Sequence, residues 1–199
     1  MSADRVPFVA LTGGLGAGKS TALDALERLG AAVLSTDRIV HELYGSLEVR
    51  DAVVAHLGSE VAPGGVVDRR AVARRVFASD ADRHWIETLI WPRVRWRMQE
   101  WRDEVERRRP PPAAAVVEVP LLFESGLDAV FDATIAVVAD EAVRAERAGA
   151  RGHAALAERT ARQLSQEEKA ARARYVVANN GTPAELEASL SGVLDMLER

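Results

Sequence analysis

Cysteine is absent from all 199 residues, which excludes disulfides, thiolate metal sites and a cysteine nucleophile. Four scattered histidines offer no zinc-like spacing, so zinc chemistry is excluded as well. Lysine is almost missing: among 26 basic residues only Lys19 and Lys169 are lysines. No apolar run approaches the roughly 20 residues that span a bilayer. The N-terminus, with Asp4 and Arg5 just before the first apolar run, lacks a signal-peptide pattern. A cytoplasmic protein is expected. Excess positive charge is lacking too, since the net charge is -4 and the pI is about 5.7. Broad attraction to nucleic acid or to an anionic membrane is therefore not expected, and the expected partners are small molecules. No internal repeat is found. The single low-complexity patch, Arg107, Arg108 and Arg109 before Pro110, Pro111 and Pro112, reads as a helix end and a stiff turn.

What is present is an apolar fraction of 48%, ample for one core domain with inserted substructure. Apolar segments alternate with helical patterns, which predicts an α/β fold with a parallel sheet. Five strands are expected: Pro7 to Thr12, Ala31 to Ser35, Ala114 to Val119, Ala133 to Val138 and Tyr175 to Ala178. A helix from about Gly18 to Leu29 turns Leu23, Leu26 and Leu29 inward and stops at Gly30. Thr182 with Pro183 and Glu185 forms a capping box for the last helix, and Ser165 with Glu168 repeats the arrangement earlier. About 78 residues separate the second and third strands, too many for an ordinary crossover, and most look helical. They are expected to form a helical insertion at about 46–112, set into a core at about 5–45 and 113–199. Its elements are Ser46 to Leu57, a turn at Pro63, Gly64 and Gly65, and a helix capped by Asp68 and running to Phe77. Asp80 to Ile90 follows, and then a separate long helix after Pro92. On that last helix Val94, Met98, Trp101 and Val105 share a stripe, read as packing; Trp101 has the alternative of stacking on a nucleobase.

The sharpest signal is Gly13-Gly14-Leu15-Gly16-Ala17-Gly18-Lys19-Ser20, followed by Thr21, between the first strand and the first helix. This is a complete Walker A phosphate loop in its expected setting. Successive backbone N–H groups from Gly14 to Ser20 line one concavity at a helix N-terminus, a shape and charge suited to a polyphosphate. The pattern assigns Lys19 to the β and γ phosphate oxygens of the bound polyphosphate and the Ser20 hydroxyl to a Mg2+ ion bridging them. A lone lysine here, in an arginine-rich chain, fits a specific contact because ammonium and guanidinium are not interchangeable. Asp37 follows the second strand at the carboxyl edge of the sheet, where α/β proteins place ligands. Two roles stand open for it: a base that accepts a proton from an attacking hydroxyl, and the N-cap of the helix carrying Ile39, Val40, Leu43 and Tyr44.

From end to end the chain resembles the dephospho-coenzyme A kinase family. The resemblance begins with Leu11 to Ser20 and continues through Leu29-Gly30-Ala31, Ser35-Thr36-Asp37 and Asp68-Arg69. Pro92 with Arg95, Val119-Pro120-Leu121-Leu122-Phe123-Glu124, Gln163 and Tyr175 to Gly181 complete it. It implies a P-loop core with a five-stranded parallel sheet flanked by helices, a helical insertion that binds the acceptor, and a helical lid at about 144–163. It also implies transfer of the γ-phosphoryl of ATP to the 3'-hydroxyl of dephospho-CoA, with Mg2+, giving CoA and ADP. Asp37 matches the family's catalytic base. Arg147 and Arg151 become candidates to neutralise phosphate charge on lid closure, although alone they read as a solvated helical face that also carries Arg159 and Arg162. Arg69 and Arg95, with Pro120, Leu121 and Leu122, fall on the acceptor side, and Asn179 with Asn180 on the adenine side. A monomer or weak homo-oligomer is expected.

This chain departs from the family pattern at four places. Ser35 stands where Asp is common, Trp91-Pro92 replaces a His-Pro pair, Arg151-Gly152 replaces Arg-Asp, and Ala173-Arg174 replaces Ala-Asp. Tryptophan stacks but does not replace imidazole as a proton acceptor. Two other readings of the phosphate loop stay open. One is a P-loop kinase for a nucleoside or nucleoside monophosphate; the other is a nucleotide-dependent switch, which would need a γ-phosphate-sensing segment that is not identified.

Overall fold

The strand β1 (Phe8–Gly13) is buried at all six positions, as a strand covered by helices on both faces must be. It lies at the centre of a five-stranded sheet with β2 (Ala32–Ser35), β3 (Ala115–Glu118), β4 (Ala133–Val138) and β5 (Tyr175–Ala178). The order is β2-β3-β1-β4-β5, and every adjacent pair is parallel. The architecture read from the alternating pattern is therefore the one observed. The chain is described by a computed structural model over residues 5–149 and 163–197. Observed strand ends move by a residue or so from the expected ones; β1, for example, continues to Gly13 because Gly13 still pairs with Val137.

The order positions the phosphate loop. Both neighbours of β1 come later in the chain, so the connections after β1 and after β3 leave the carboxyl edge in opposite directions. Such a switch point opens a crevice outside the strand ends. The loop after β1 enters α1 (Lys19–Arg28), whose Ala22, Leu23, Ala25 and Leu26 face the sheet. They share one buried cluster with Leu186, Leu190, Val193 and Leu194 of the last helix, Pro183–Leu197. Burial of a leucine such as Leu26 or Leu190, each 0% exposed, stabilises by about 1.5–3 kcal/mol.

The end caps follow their sequence signals. Thr182 Oγ1 accepts from the Glu185 N–H while the Glu185 carboxylate accepts from the Thr182 N–H. Ser165 and Glu168 make the same reciprocal pair ahead of Gln166–Arg172. Exposed Glu167 and Glu185 titrate below the ordinary glutamate range, each chiefly because a backbone N–H donates to the carboxylate.

The residues group into two compact units, Met1–Ser35 with Arg102–Arg199, and Thr36–Trp101. The second unit is built from α2 (Thr36–Gly45), α3 (Leu47–Leu57), two 3-10 turns (Ser59–Val61 and Pro63–Gly65) and α4 (Arg69–Ala78), with the first part of α5 (Asp80–Glu106). Ser46 and Asp68 cap α3 and α4 through Val49 N–H and Arg70 N–H. The expected pair of helices around Pro92 is instead one helix of 27 residues with Pro92 inside it. Proline removes one N–H and crowds the carbonyl four residues back, yet does not always break a helix. Here Ile86 and Ile90 are buried on the turns before it, so packing holds the helix across the missing N–H. Val94, Met98 and Val105 are buried on the expected stripe, and Trp101 is half-buried.

If Pro92 is tolerated rather than required, Pro92→Ala restores the missing N–H. It should stabilise the fold by about 1–2 kcal/mol, the helix gain less the entropy that proline removes from the unfolded chain. Urea unfolding tests this. An unchanged or lowered midpoint would show that the proline ring itself contributes to packing.

Candidate active site

Glycine is required where the phosphate loop meets its surroundings. Gly16 has φ 75°, and a Cβ there would stand 2.6 Å from the Arg144 carbonyl oxygen. Gly18 has φ 90°, and a Cβ there would collide with the Asn179 side-chain amide. Only a residue without a side chain fits either position. Within the loop the Ala17 N–H donates to the Gly14 carbonyl at 3.2 Å. No side chain caps α1 at Gly18, so its N-terminus keeps the positive end of its dipole for an anion. Lys19 extends its ammonium back over the loop, donating to the carbonyls of Gly13 and Gly14 at 3.0 Å each. Ser20 and Thr21 are exposed at the start of the helix, and Leu15 is half-buried in the loop.

Later parts of the chain brace the loop. Asn179, only 5% exposed, donates from its side-chain amide to the Ala17 carbonyl at 2.9 Å. The Arg147 guanidinium donates to the Asn179 carbonyl at 3.1 Å, so a predicted lid residue and a predicted adenine-side residue meet beside the loop. Asn180 accepts from the Asp140 N–H at 2.7 Å, just ahead of α6 (Glu141–Gly149). Arg151, with Arg159 and Arg162 and most of the expected lid, lies outside the described residues.

Three residues near the loop were not foreseen. Arg144 packs its backbone against Gly16 and donates to the Ala139 carbonyl. Gln166 accepts from the Ala139 N–H at 2.7 Å, and its Cβ lies 3.4 Å from where a Cβ on Gly14 would stand. Glu118, 9% exposed, ends β3 opposite Leu11 of β1 and accepts from the Ser35 hydroxyl at 2.9 Å. The signal for Glu118 was available: it is the only charged residue in the expected strand Ala114 to Val119. Arg144 and Gln166 carry no such mark.

After β3, Pro120 is half-buried and Leu121 exposed, whereas the Leu122 side chain is 0% exposed. A role for Leu122 toward a ligand therefore falls to its backbone, and its carbonyl already accepts from Ser125 and Leu127. In the helical unit, α2 begins at Thr36. Asp37 thus sits in the first turn rather than at the N-cap, which corrects the capping alternative. The helix starts two residues earlier than that alternative requires, because β2 passes into it directly at Ser35. Asp37 is exposed, and its charge still favours the helix N-terminus. Arg95 is exposed on α5. Arg69 begins α4 and acts electrostatically on Tyr44, whose hydroxyl titrates above the ordinary value chiefly because it is buried, with the Arg69 charge opposing.

A strand-loop-helix phosphate site on a parallel sheet of this order defines the class of P-loop small-molecule kinases. The shikimate kinase of Acinetobacter baumannii shares the fold alone, at TM-score 0.50 and 14% identity over 97% of this chain and 96% of that one. The dephospho-CoA kinase family model matches residues 7–185, and the chain belongs to that family. It is 37% identical over 188 residues to the dephospho-CoA kinase of Moorella thermoacetica, covering 94% of this chain and 88% of that one. A crystal structure from Thermus thermophilus superposes at TM-score 0.79 with 33% identity, covering 96% of this chain and 98% of that one. ATP is a substrate of the family.

The Tyr44 and Arg69 arrangement is open to a direct check. A raised phenol pKa means that stability from neutral Tyr44 is complete below about 10 and is lost as pH rises through the folded value. Removing the Arg69 charge removes the term that lowers this pKa. Arg69→Ala should therefore move the Tyr44 transition to higher pH, read from phenolate absorbance in a Tyr175→Phe background. A transition that stays in place or moves down would separate Arg69 from Tyr44.

Proposed function

We propose that this chain transfers the γ-phosphoryl group of ATP to the 3'-hydroxyl of the dephospho-CoA ribose, giving CoA and ADP. The observation that carries the reading is the complete phosphate loop, braced by Asn179 and Arg147, in a chain of this family. Phosphoryl transfer asks little covalent chemistry of the protein; it asks for two substrates held in line, charge neutralisation and exclusion of water. Backbone N–H groups of Gly14, Leu15, Gly16, Ala17, Gly18, Lys19 and Ser20 hold the donor phosphates, with Thr21 at the same helix end. Lys19 leaves its carbonyl partners at Gly13 and Gly14 for the phosphate oxygens, and Asn179 with Asn180 lies toward the adenine.

The donor set fits a magnesium ion. Ser20 offers an exposed hydroxyl and Glu118 a buried carboxylate at the sheet edge, both hard oxygen donors. Among the described residues no cluster of three or more His, Cys, Asp or Glu could hold a metal. That suits an ion held mainly by phosphates and water, with Ser20 as its direct protein ligand. Bound there, Mg2+ would neutralise phosphate charge. Asp37 orients the acceptor hydroxyl and takes its proton, and Arg69, Arg95 and the segment Pro120, Leu121 and Leu122 hold the acceptor. Arg147 and Arg151 neutralise charge as the lid closes, so their contribution is made mostly in the transition state.

Among the described residues no helix is long and apolar enough to cross a membrane. The proposed setting is the cytoplasm, where ATP is supplied, as a monomer or weak homo-oligomer acting on small molecules.

An ADP-release assay over a panel of acceptors tests the activity. Turnover should require dephospho-CoA; equal turnover with nucleosides, nucleoside monophosphates or water would overturn the assignment. The base is tested separately. Asp37→Asn removes the proton acceptor but keeps shape and polarity, so melting temperature and ATP affinity should stay near wild type while turnover falls on the order of 100-fold to 10,000-fold. Wild-type turnover in that variant would leave Asp37 as a helix-end charge only.

A further inference from the structure

Lys169 is the one described charged residue whose side chain is 0% exposed. A buried ammonium is costly unless it is paired and hydrogen-bonded. Both requirements are met by the stretch that follows β3. The Lys169 Nζ lies 2.9 Å from the Glu124 carboxylate and also donates to the Pro120 carbonyl. The same Glu124 oxygen, Oε1, accepts from the Leu164 N–H at 2.8 Å. One carboxylate oxygen therefore joins the residues after β3 to the chain just beyond residues 150–162 and to the helix α7 (Gln166–Arg172). From that same helix Gln166 reaches the Ala139 N–H at the end of β4 and packs beside Gly14 of the phosphate loop.

From this geometry we infer that Lys169 is a positioning residue for the reaction. Its ammonium locks the segment Pro120 to Glu124, and through Glu124 the backbone at Leu164, in register with the start of α7. The inference rests on the proposed acceptor role of Pro120, Leu121 and Leu122. Lysine suits the place because a compact ammonium serves a carbonyl and a carboxylate at once from a narrow, buried stem. None of these bonds of Lys169 and Glu124 reaches Lys19 or the loop amides, so the lock acts on the acceptor side rather than on ATP binding.

The test uses the full chain. Lys169→Met alone leaves the Glu124 charge buried and unpaired, which destabilises in its own right. The informative variant is Lys169→Met with Glu124→Gln, which removes both charges and keeps an acceptor for the Leu164 N–H. Glu124→Gln alone and Lys169→Arg are carried alongside. In the folded double variant kcat should fall at least tenfold and KM for dephospho-CoA rise severalfold, with KM for ATP within twofold of wild type. Glu124→Gln should show the same split to a smaller degree, and Lys169→Arg, which keeps the charge, should recover part of kcat. Hydrogen exchange should show residues 120–124 and 163–172 losing protection together while β1 and α1 keep theirs, whatever the acceptor is. Wild-type kcat and acceptor KM in a folded double variant, or in Glu124→Gln should the double variant not fold, overturn the inference. Loss of ATP affinity in parallel overturns it too, by showing a general structural role. Absence of dephospho-CoA turnover in the wild type would count against the proposed function instead, with the exchange result still deciding whether the lock exists.

Discussion

One side-chain amide holds the phosphate loop in shape. Asn179 reaches across 162 residues of sequence to donate to the Ala17 carbonyl. With that carbonyl drawn toward Asn179, the amide orientation of the neighbouring loop residues is constrained, and Gly18 must lack a side chain to make room. Asn179 in turn sits where β5 ends, its N–H donating to Val138, so the loop inherits its position from the sheet. The donor side of the proposed site depends on this brace. Lys19, Ser20 and the α1 dipole all take their direction from a loop of backbone, which has little stiffness of its own.

The chain's two lysines illustrate how composition and structure meet. Both ammonium groups sit at carbonyls just beyond the carboxyl ends of central strands: Lys19 at Gly13 and Gly14, and Lys169 at Pro120. Arginine also reaches carbonyls beside strand ends, Arg144 at Ala139 and Arg147 at Asn179, but neither of these residues is fully buried. Full burial is what sets the compact ammonium of Lys169 apart. The scarcity of lysine drew attention to Lys19 at once, whereas Lys169 had no motif around it and emerged only when its burial was known.

Much of the fold was legible because its signals are local. The five strands are short apolar runs between turn residues. Both capping boxes are four-residue patterns, and the phosphate loop is a contiguous string. What sequence reading missed depends on packing or on distant partners. Pro92 is a strong local stop signal, yet α5 runs through it, since burial of Ile86, Ile90, Val94 and Met98 on either side outweighs one missing N–H. The N-cap alternative for Asp37 fails through the same kind of effect: a strand that enters a helix without a turn leaves no punctuation, and α2 begins at Thr36. Arg144 and Gln166 approach the loop only through tertiary contacts, and no spacing in the sequence announces them.

The sheet order also dictates when this molecule becomes whole during its synthesis. β1 leaves the ribosome first but pairs with β3 and β4, which begin at Ala115 and Ala133, and its loop is braced from residue 179. A nascent chain that already carries the entire Walker string therefore has a central strand lacking one or both partners until β4 has emerged, and an unbraced loop until residue 179 has followed. At about 5–20 residues per second, that interval is on the order of ten seconds or more. Throughout it the Walker string is present as sequence but lacks the contact that shapes it as a site.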